Sequence, residues 1–286
     1  MTRLLIIDGN GYLHRAFHAY DKLTTSDGFP NGAIQGVKDL TINLFRQLKP
    51  SHCIAVFDHE GGSFRNRLYP EYKANRPPSD PNLKLQRDPI KEMFEAAGIP
   101  VVSKEGVEAD DVIGSLSQSA SKHGVDTLIA SSDKDMAQLI NAYTRQVIIQ
   151  RGEVLFTDED KVIKKFGVRA SQIRDYLALI GDTSDNVPGV VGCGSKTASK
   201  WLGAFETIDG IIENKHRLTG KVGESFRNNL DQLSLSRELV TIKTDITVGL
   251  NLSDMALKVI EGRRSQIEDW YRKYEINGDP QDWFYW

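Results

Sequence analysis

Short apolar runs in this chain repeatedly end in acidic residues. Residues 4–7 precede Asp8, and residues 53–57 precede Asp58. Continuous apolar runs of this kind are typical of strands that are buried on both faces of a parallel sheet. Because the carboxyl ends of parallel strands meet at one edge, such acidic residues are expected to lie close together. The pattern predicts an α/β fold with a mostly parallel central sheet flanked by helices.

Further apolar runs add carboxylates to the same expected edge. Residues 99–102 lead to an acidic stretch at the start of an amphipathic helix, and residues 127–130 lead to another. A run at 147–149 predicts a fifth strand at the sheet edge. A helix over 171–180, with Ser171 as its cap, ends before the last acidic stretch. These stretches contribute seven more acidic residues, namely Glu108, Asp110, Asp111, Asp133, Asp135, Asp182 and Asp185.

A cluster of carboxylates favours bound cations. Carboxylates within about 4–6 Å of one another repel, so the cluster is costly unless cations occupy it. No His or Cys pattern accompanies the acidic residues, so the ligands would all be hard oxygen atoms, which select Mg²⁺ or Mn²⁺ over zinc. Two such ions about 3.5–4 Å apart would activate a water and stabilise the leaving oxygen of a phosphodiester. Any one of these residues alone is more typical of a helix cap, but the set indicates a metal site.

Composition narrows the class of protein. The chain has 286 residues, 40% of them apolar, with a net charge of −3 and a sequence pI ≈ 6.1. This charge argues against polyanion binding over the whole surface and permits basic residues concentrated on one face. Cys53 and Cys193 form neither a disulfide framework nor a metal motif, which suits a reducing cytoplasm. No run approaches the roughly 18 apolar residues of a membrane span, so no membrane partner is expected.

Residues 61–98 form a basic and aromatic insertion between two predicted strands. Asp80 is expected to cap a helix that starts at Pro81, and Pro89 is expected to kink that helix near Asp88. An insertion of this composition is typical of a lid or a nucleic-acid contact. A solvated surface hairpin is the alternative.

Residues 188–198 form a glycine-rich turn before a helix. Ser195 interrupts the Gly-Lys-Thr junction of a nucleotide-binding loop and is expected to cap the helix, so a helix-hairpin-helix fits the spacing better. Backbone N–H groups at such a turn, with Lys196 as a point charge, would bind phosphate without reading sequence. The predicted phosphate contacts are Gly189, Gly192, Gly194, Ser195, Lys196 and Thr197.

Several short sequence motifs occur in a fixed order between residue 4 and about residue 245. They include Asp8-Gly9, Val56-Phe57-Asp58, Tyr72-Lys73 with Arg76, Gly106-Val107-Glu108-Ala109-Asp110-Asp111, Asp133-Lys134-Asp135, Gly181-Asp182 with Asp185, and Pro188-Gly189-Val190. In this order they resemble the 5′ nuclease family. That family comprises the N-terminal 5′→3′ exonuclease domain of bacterial DNA polymerase I and the free-standing flap endonucleases of bacteriophages.

The resemblance implies roles for individual residues. One metal site would use Asp8, Asp58, Glu108, Asp110 and Asp111, and a second would use Asp133, Asp135, Asp182 and Asp185. The catalytic basic pair at the base of a helical arch, which contacts the scissile phosphate, corresponds to Lys73 and Arg76. DNA contacts near the cut are implied for Tyr12, Arg15, Phe64, Arg65 and Tyr72. The glycine-rich turn corresponds to the family's helix-three-turn-helix, where K⁺ would bind the backbone carbonyls of Val190 and Cys193.

The resemblance also implies an activity and its partners. The expected enzyme is a metal-dependent flap endonuclease and 5′→3′ exonuclease that leaves a 5′-phosphate and a 3′-hydroxyl. Its role would be primer and flap removal in DNA replication and repair. Its partners would be DNA with a 5′ flap, nick or free 5′ end, and RNA primer–DNA hybrids. The length leaves no room for a polymerase segment, so a free-standing monomer in the cytoplasm of a bacterium or phage-infected cell is expected.

The expected domain plan has three parts. A PIN-like α/β nuclease core covers 1–170 and includes the arch at 61–98. A helical helix-hairpin-helix region covers 171–245, and a C-terminal extension covers 246–286.

Two alternative functions remain. A PIN-type ribonuclease is one alternative, but it would be shorter and would lack the glycine-rich turn. A structure-specific DNA-binding protein with a vestigial site is the other, and the complete set of carboxylates argues against it.

Overall fold

The computed structural model describes residues 2–20, 22–258 and 262–284. Its strands are β1 (Arg3–Asp8), β2 (His52–Val56), β3 (Val101–Val102), β4 (Asp126–Ala130), β5 (Thr144–Gln150) and β6 (Glu153–Thr157). They form one sheet in the order β3-β2-β1-β4-β5-β6. All neighbouring pairs are parallel except β5 and β6, which are antiparallel. The predicted mostly parallel α/β architecture is confirmed.

The register of the sheet brings the ends of three central strands to one edge. Asp8 pairs with Val56, and Ile7 pairs with Ala130. The residues that follow β2 and β4 therefore emerge beside the end of β1, as expected for open parallel sheets that place their sites at the carboxyl ends of strands.

Helices cover both faces of this sheet. The chain forms α1 (Gly9–Ala19), α2 (Gly32–Leu48), α3 (Phe64–Leu68), α4 (Pro81–Leu85), α5 (Arg87–Ala96) and α6 (Ala109–Lys122). Leu5 and Ile7 of β1 belong to the core formed with α1, α2 and α5, whereas Leu4 and Ile6 belong to the core formed with α6. This alternation follows from the two-residue period of a strand.

Residues after β6 form a helical region with its own apolar core. Its helices are α7 (Glu159–Phe166), α8 (Ile173–Ile180), α9 (Ser195–Phe205), α10 (Ile208–Glu213), α11 (Gly220–Asn228) and α12 (Leu230–Val240). The core includes Trp201, Leu202 and Phe226, and it reaches Tyr72 of the arch. The arch therefore packs against both regions of the molecule.

The C-terminal residues return to the nuclease core. Ile242 and Met255 pack on the α6 side of the sheet. The helix α13 (Arg263–Lys273) packs on the other side, where Trp270 Nε1 donates to the carbonyl of Pro89 at 2.9 Å. Trp283 is fully buried. The expected extension over 246–286 is thus packed against the core, and the last two of its aromatic residues, 285 and 286, lie outside the described residues.

One prediction about a strand and two about helix caps are wrong. β5 does not lie at the edge of the sheet, because β6 pairs with it. Ser171 and Ser195 lie inside their helical segments, and Gln172 and Gly194 occupy the cap positions of α8 and α9. The Gln172 side chain caps no N–H group in the first turn of α8, and Gly194 has no side chain that could cap α9.

The break within the arch falls earlier than predicted. Asp80 caps α4 as expected, by accepting a hydrogen bond from Asn82 N. The helix breaks at Gln86 and not near Asp88, although Pro89 follows. The buried Gln86 side chain instead accepts a hydrogen bond from Ala33 N at 2.7 Å, which attaches the arch to the start of α2.

In the ranges that the structure describes, no helix is long and apolar enough to cross a membrane.

Candidate metal and nucleic-acid site

Asp8 connects β1 to the helix that follows it. Its Oδ1 atom accepts a hydrogen bond from Gly11 N at 2.8 Å, so the side chain caps α1. Its Oδ2 atom accepts a bond at 2.7 Å from the buried hydroxyl of Ser131, just after β4. Residues from two adjacent strand ends therefore fix this carboxylate at the edge of the sheet.

Asp58 follows β2 and lies between two helix starts. Its Oδ1 atom accepts a hydrogen bond from Ala109 N, in the first turn of α6, at 2.8 Å. Its Oδ2 atom contacts the amide of Asn10 in α1. A carboxylate at two helix N-termini is stabilised by their unpaired N–H groups and dipoles.

A second group of carboxylates comes from β4 and the loop after α8. Asp133 caps the 3₁₀ turn Lys134–Leu139 by accepting a hydrogen bond from Asp135 N at 2.8 Å. Lys134 Nζ lies 2.9 Å from Asp182 Oδ2. Asp185 follows in the same loop as Asp182. The fold thus brings these four acidic residues together, although the two pairs are distant in sequence.

Three residues of the arch lie between the two groups of carboxylates, namely Tyr72, Lys73 and Arg76. The Tyr72 hydroxyl lies 3.1 Å from Glu108 Oε2 and 3.2 Å from Asp185 Oδ2. Lys73 Nζ lies 2.9 Å from the same Glu108 oxygen and 3.7 Å from the same Asp185 oxygen. The Arg76 guanidinium contacts the other Asp185 oxygen. Both predicted catalytic cations therefore lie among the carboxylates at this edge of the sheet. We call these carboxylates the acidic edge; they are Asp8, Asp58, Glu108, Asp110, Asp133, Asp135, Asp182 and Asp185.

Three of the carboxylates at this edge resist ionisation, namely Asp8, Asp110 and Asp135. Loss of water, with repulsion from Asp133 and Asp58, raises the pKa of Asp8 to about 6. Loss of water, with repulsion from Asp133 and Asp182, raises the pKa of Asp135 to about 7. The pKa of Asp110 is also well above its ordinary value, because of desolvation and the charges of Asp133 and Asp8. Closely spaced carboxylates with little water favour a cation or a proton.

Asp111 does not lie with the other eight carboxylates. It is fully buried, and both of its oxygens are bonded to the Arg65 guanidinium, at 2.7 and 2.8 Å. The implied role of Asp111 as a metal ligand stays a prediction, and its buried ion pair with Arg65 argues against it. The expectation that Arg65 contacts DNA disagrees with its 2% exposure.

The other implied DNA contacts near the cut are largely covered by protein. Tyr12 and Tyr72 are 2% and 4% exposed, so neither presents a surface to DNA. The guanidinium of Arg15 donates to the carbonyl of Ile149. Phe64 is partly buried, with Lys243 Nζ 3.6 Å from its ring centroid. Burial argues against Tyr12 and Tyr72 as DNA contacts, whereas Arg15 and Phe64 are only partly buried and stay predictions. The sequence alone does not distinguish an aromatic or basic side chain that binds DNA from one that packs inside the protein.

The glycine-rich turn follows the loop that carries Asp182 and Asp185. Gly189 lies against the end of α8, where an added Cβ would approach Ile180 C to 2.4 Å. Gly192 has φ of 82°, which favours glycine. Cys193 N donates to Val190 O at 2.8 Å inside the turn. Lys196 is exposed in the first turn of α9, beside the free N–H groups of that helix.

The donor set fits divalent cations, although the carboxylates are at present paired with side chains. Among the described residues, no three His, Cys, Asp or Glu side chains stand close enough to hold a metal ion as they are placed. Lys73, Arg76 and Lys134 lie between them instead. The Oδ1 atom of Asp135 is buried and has no hydrogen-bond partner. Such an oxygen is costly to leave unsatisfied, and a hard cation is a suitable partner.

Three residues at the site escaped the sequence prediction. Ser131 and Asn10 hold Asp8 and Asp58, and Lys134 pairs with Asp182. Each of the three lies within two residues of a predicted ligand along the chain, so proximity was the available signal.

Comparison with known proteins defines the class. Residues 3–167 match the family model described as the 5'-3' exonuclease N-terminal resolvase-like domain. Residues 168–263 match the one described as the 5'-3' exonuclease C-terminal SAM fold. The chain therefore belongs to the 5′–3′ exonuclease family of enzymes, and the resemblance read from its motifs is confirmed.

Individual relatives support the assignment. The chain is 39% identical over 258 residues to a 5'-3' exonuclease of Aquifex aeolicus, with 90% of this chain and 88% of the relative covered. It is 40% identical over 284 residues to a DNA polymerase I of Pseudomonas aeruginosa, with 96% of this chain but only 30% of the relative covered. The chain thus spans about a third of the length of such polymerases.

A solved structure supports the fold. A structure of the bacteriophage T5 flap endonuclease in a pseudo-enzyme–product complex with DNA and metal ions has a TM-score of 0.69 at 23% identity. The match covers 85% of this chain and 90% of that chain.

Proposed function

We propose that this protein is a structure-specific 5′ nuclease that hydrolyses DNA phosphodiesters near junctions between a 5′ single strand and a duplex. The observation that carries the proposal is the placement of eight carboxylates and two arch cations around one edge of the sheet, with a glycine-rich turn next to them. The family relationship supports the same activity. Its products would be a 5′-phosphate and a 3′-hydroxyl, and its role would be primer or flap removal.

The two acidic groups would hold Mg²⁺ or Mn²⁺. Asp8, Asp58, Glu108 and Asp110 form the first group, and Asp133, Asp135, Asp182 and Asp185 form the second. Divalent cations bound there would lower the pKa of a water molecule and balance charge on the phosphodiester oxygens. The raised pKa of Asp8 and Asp135 supports this assignment, since bound cations would relieve the repulsion between neighbouring carboxylates.

Lys73 and Arg76 would bind the scissile phosphate. Both belong to the segment that ties the arch to the loop 182–187, where Lys73 N donates to Asp185 O at 2.9 Å. Lys73 has φ of 57°, an uncommon conformation for a residue other than glycine, which directs its side chain toward Glu108. A phosphate at this edge would compete with the carboxylates for both cations.

The glycine-rich turn would bind the duplex beyond the cut. Its backbone N–H groups and Lys196 would contact phosphates and contribute no base readout. K⁺ at the carbonyls of Val190 and Cys193 would reinforce this contact. Suitable substrates would be DNA with a 5′ flap, a nick or a free 5′ end, and RNA–DNA hybrids at primers. The protein would act as a monomer.

The test is cleavage of an end-labelled 5′-flap duplex with Mg²⁺ and with excess chelator. Asp8→Asn should abolish Mg²⁺-dependent cutting near the junction, with a loss of at least about 100-fold, because it removes a charged oxygen ligand from the first group. DNA affinity measured in chelator should stay within about threefold of the wild-type value, since the duplex contacts are elsewhere.

Asp269→Asn is the matched control, because Asp269 is exposed on α13 and should leave cutting unchanged. Tight binding of the junction by the wild-type protein without any cutting would instead identify a DNA-binding protein and reject the nuclease assignment.

A further inference from the structure

Arg65 is a buried arginine whose donors are almost all used inside the protein. Its Nε donates to Leu239 O at 2.7 Å, and one terminal nitrogen donates to Thr241 O at 2.7 Å. The two terminal nitrogens also bond Asp111 at 2.7 and 2.8 Å. One of them lies 3.6 Å from Glu108 Oε2. An arginine fork can join carboxylate and carbonyl acceptors from several segments in a fixed geometry, which a lysine cannot do.

One side of this network leads to the acidic edge. Asp111 accepts a hydrogen bond from Glu108 N at 3.1 Å and another from Lys243 N at 2.9 Å. The backbone of Glu108 is therefore held by Asp111. The Glu108 side chain in turn meets Ser63 at 3.1 Å and Lys73 at 2.9 Å. A displacement of Asp111 would shift the N-terminus of α6 and the Glu108 carboxylate together.

The other side leads to the glycine-rich turn. Leu239 and Thr241 lie at the end of α12. Earlier in the same helix, Ser236 Oγ donates to Pro188 O at 2.5 Å and Gln232 Nε2 donates to Gly189 O at 3.3 Å. A helix of 11 residues spans about 16 Å. The helix α12 thus contacts the glycine-rich turn through its middle residues and Arg65 through its C-terminal end.

We propose that Arg65 is a positioning residue that sets Glu108 relative to the glycine-rich turn, through Asp111 on one side and α12 on the other. The inference rests on the proposed nuclease function and deepens it. The turn that would bind the duplex and the Glu108 carboxylate at the cut are thereby connected rigidly. A junction bound at the turn is then presented to the acidic edge at a fixed distance.

Substitution of Arg65 should lower the turnover rate and leave DNA affinity nearly unchanged. Arg65→Lys keeps the charge opposite Asp111 but cannot bond all the acceptors. For cleavage of the 5′-flap duplex in Mg²⁺, kcat should fall about 10–100-fold, the usual effect of removing a group that orients a metal ligand. The Kd for the same duplex in chelator should change by less than about threefold, since Arg65 is not exposed to DNA. Arg65→Met leaves the Asp111 carboxylate without a counter-charge, so its kcat should fall further than that of Arg65→Lys.

Arg237→Lys is the matched control. Arg237 lies in the same helix and pairs with Asp175 and Asp209, outside the path to Glu108. Its kcat should stay within about threefold of wild type. A raised Kd with unchanged kcat in Arg65→Lys would show a DNA contact and overturn the proposal, as would unchanged values of both.

Two further measurements extend the test: a double-mutant cycle read in kcat, and a metal titration that does not depend on nuclease activity. Ser236→Ala loosens α12 from the turn at a distance from Glu108, and its effect on kcat should be non-additive with that of Arg65→Lys in a double-mutant cycle. Strict additivity would contradict a shared path.

Calorimetric titration of Mn²⁺ without DNA should show weaker binding in Arg65→Lys by about 10-fold or more. Unchanged Mn²⁺ affinity would overturn the placement of Glu108 by Arg65. A wild-type protein that never cuts, yet shows this Mn²⁺ effect, would reject the proposed function and retain the positioning role.

Discussion

Lys134 shows how a single side chain takes its role from the fold. It lies between Asp133 and Asp135 in sequence, but its Nζ pairs with Asp182 at 2.9 Å. The neighbouring acidic groups raise the pKa of Lys134 despite partial burial, which keeps it charged. The sequence could place the acidic residues after their strands, but it could not show which cation would reach across from one loop to the other. That pairing depends on three-dimensional distances.

Gly189 gives a residue-scale prediction. Gly189→Ala should destabilise the protein by about 3 kcal/mol or more, because its Cβ would overlap backbone atoms of Ile180 and Gly181 that cannot move aside. Urea denaturation monitored by tryptophan fluorescence would measure the change.

Gly203→Ala is the control for this substitution. Gly203 lies inside α9 with open space around it, so alanine should stabilise the helix by about 0.5–1 kcal/mol. Equal effects of the two substitutions would contradict the close approach at Gly189.

At the scale of elements, the strands that lead to the site were predictable and β6 was not. β1, β2 and β4 are continuous apolar runs, a pattern that leaves few alternatives. β6 is a half-exposed strand with mixed side chains, joined to β5 through Arg151 and Gly152, which both have positive φ. Such two-residue turns favour a hairpin, but the arginine in the first position conceals the signal. Cap assignments failed for a related reason, since a serine near a helix start does not fix its position.

The glycine-rich turn and α9 together give an element-scale prediction. Lys196→Ala should weaken binding of duplex DNA similarly for all sequences, because the residue would neutralise one phosphate and read no base. The slope of log K against log salt concentration should become shallower by about one unit. Fluorescence anisotropy across a salt series would test this, and Lys122→Ala, in the last turn of α6, is the control. An unchanged slope would remove Lys196 from the contact.

At the scale of the whole molecule, the acidic edge sets how stability depends on pH. Asp8 and Asp135 have folded pKa values of about 6 and about 7, above the ordinary 3.8. The folded state therefore binds these protons more tightly than the unfolded state, so stability should rise as the pH falls from about 8 to 5. The difference for Asp8 corresponds to about 3 kcal/mol. Below that range, Asp126 and Asp182, whose pKa values are lowered, should reverse the trend.

Thermal unfolding in chelator would measure this dependence. Asp8→Asn should raise Tm at pH 8 and flatten the profile, and Mg²⁺ should flatten it for the wild-type protein because bound cations replace the protons. A wild-type Tm in chelator that rises steadily from pH 5 to 8 would contradict the predicted repulsion at the edge.

The return of the C-terminal residues to the core has a consequence for how the chain folds during synthesis. Trp270 and Trp283 complete an apolar layer whose other members begin at Leu5. That layer stays open to water until Trp283 has left the ribosome, because its last side chains are made more than 250 residues after its first. Contacts of such long separation form slowly, and the exposed layer is prone to aggregate in the meantime. The nascent chain should therefore depend on chaperones that shield the α2 and α5 surface until Trp270 and Trp283 have been made.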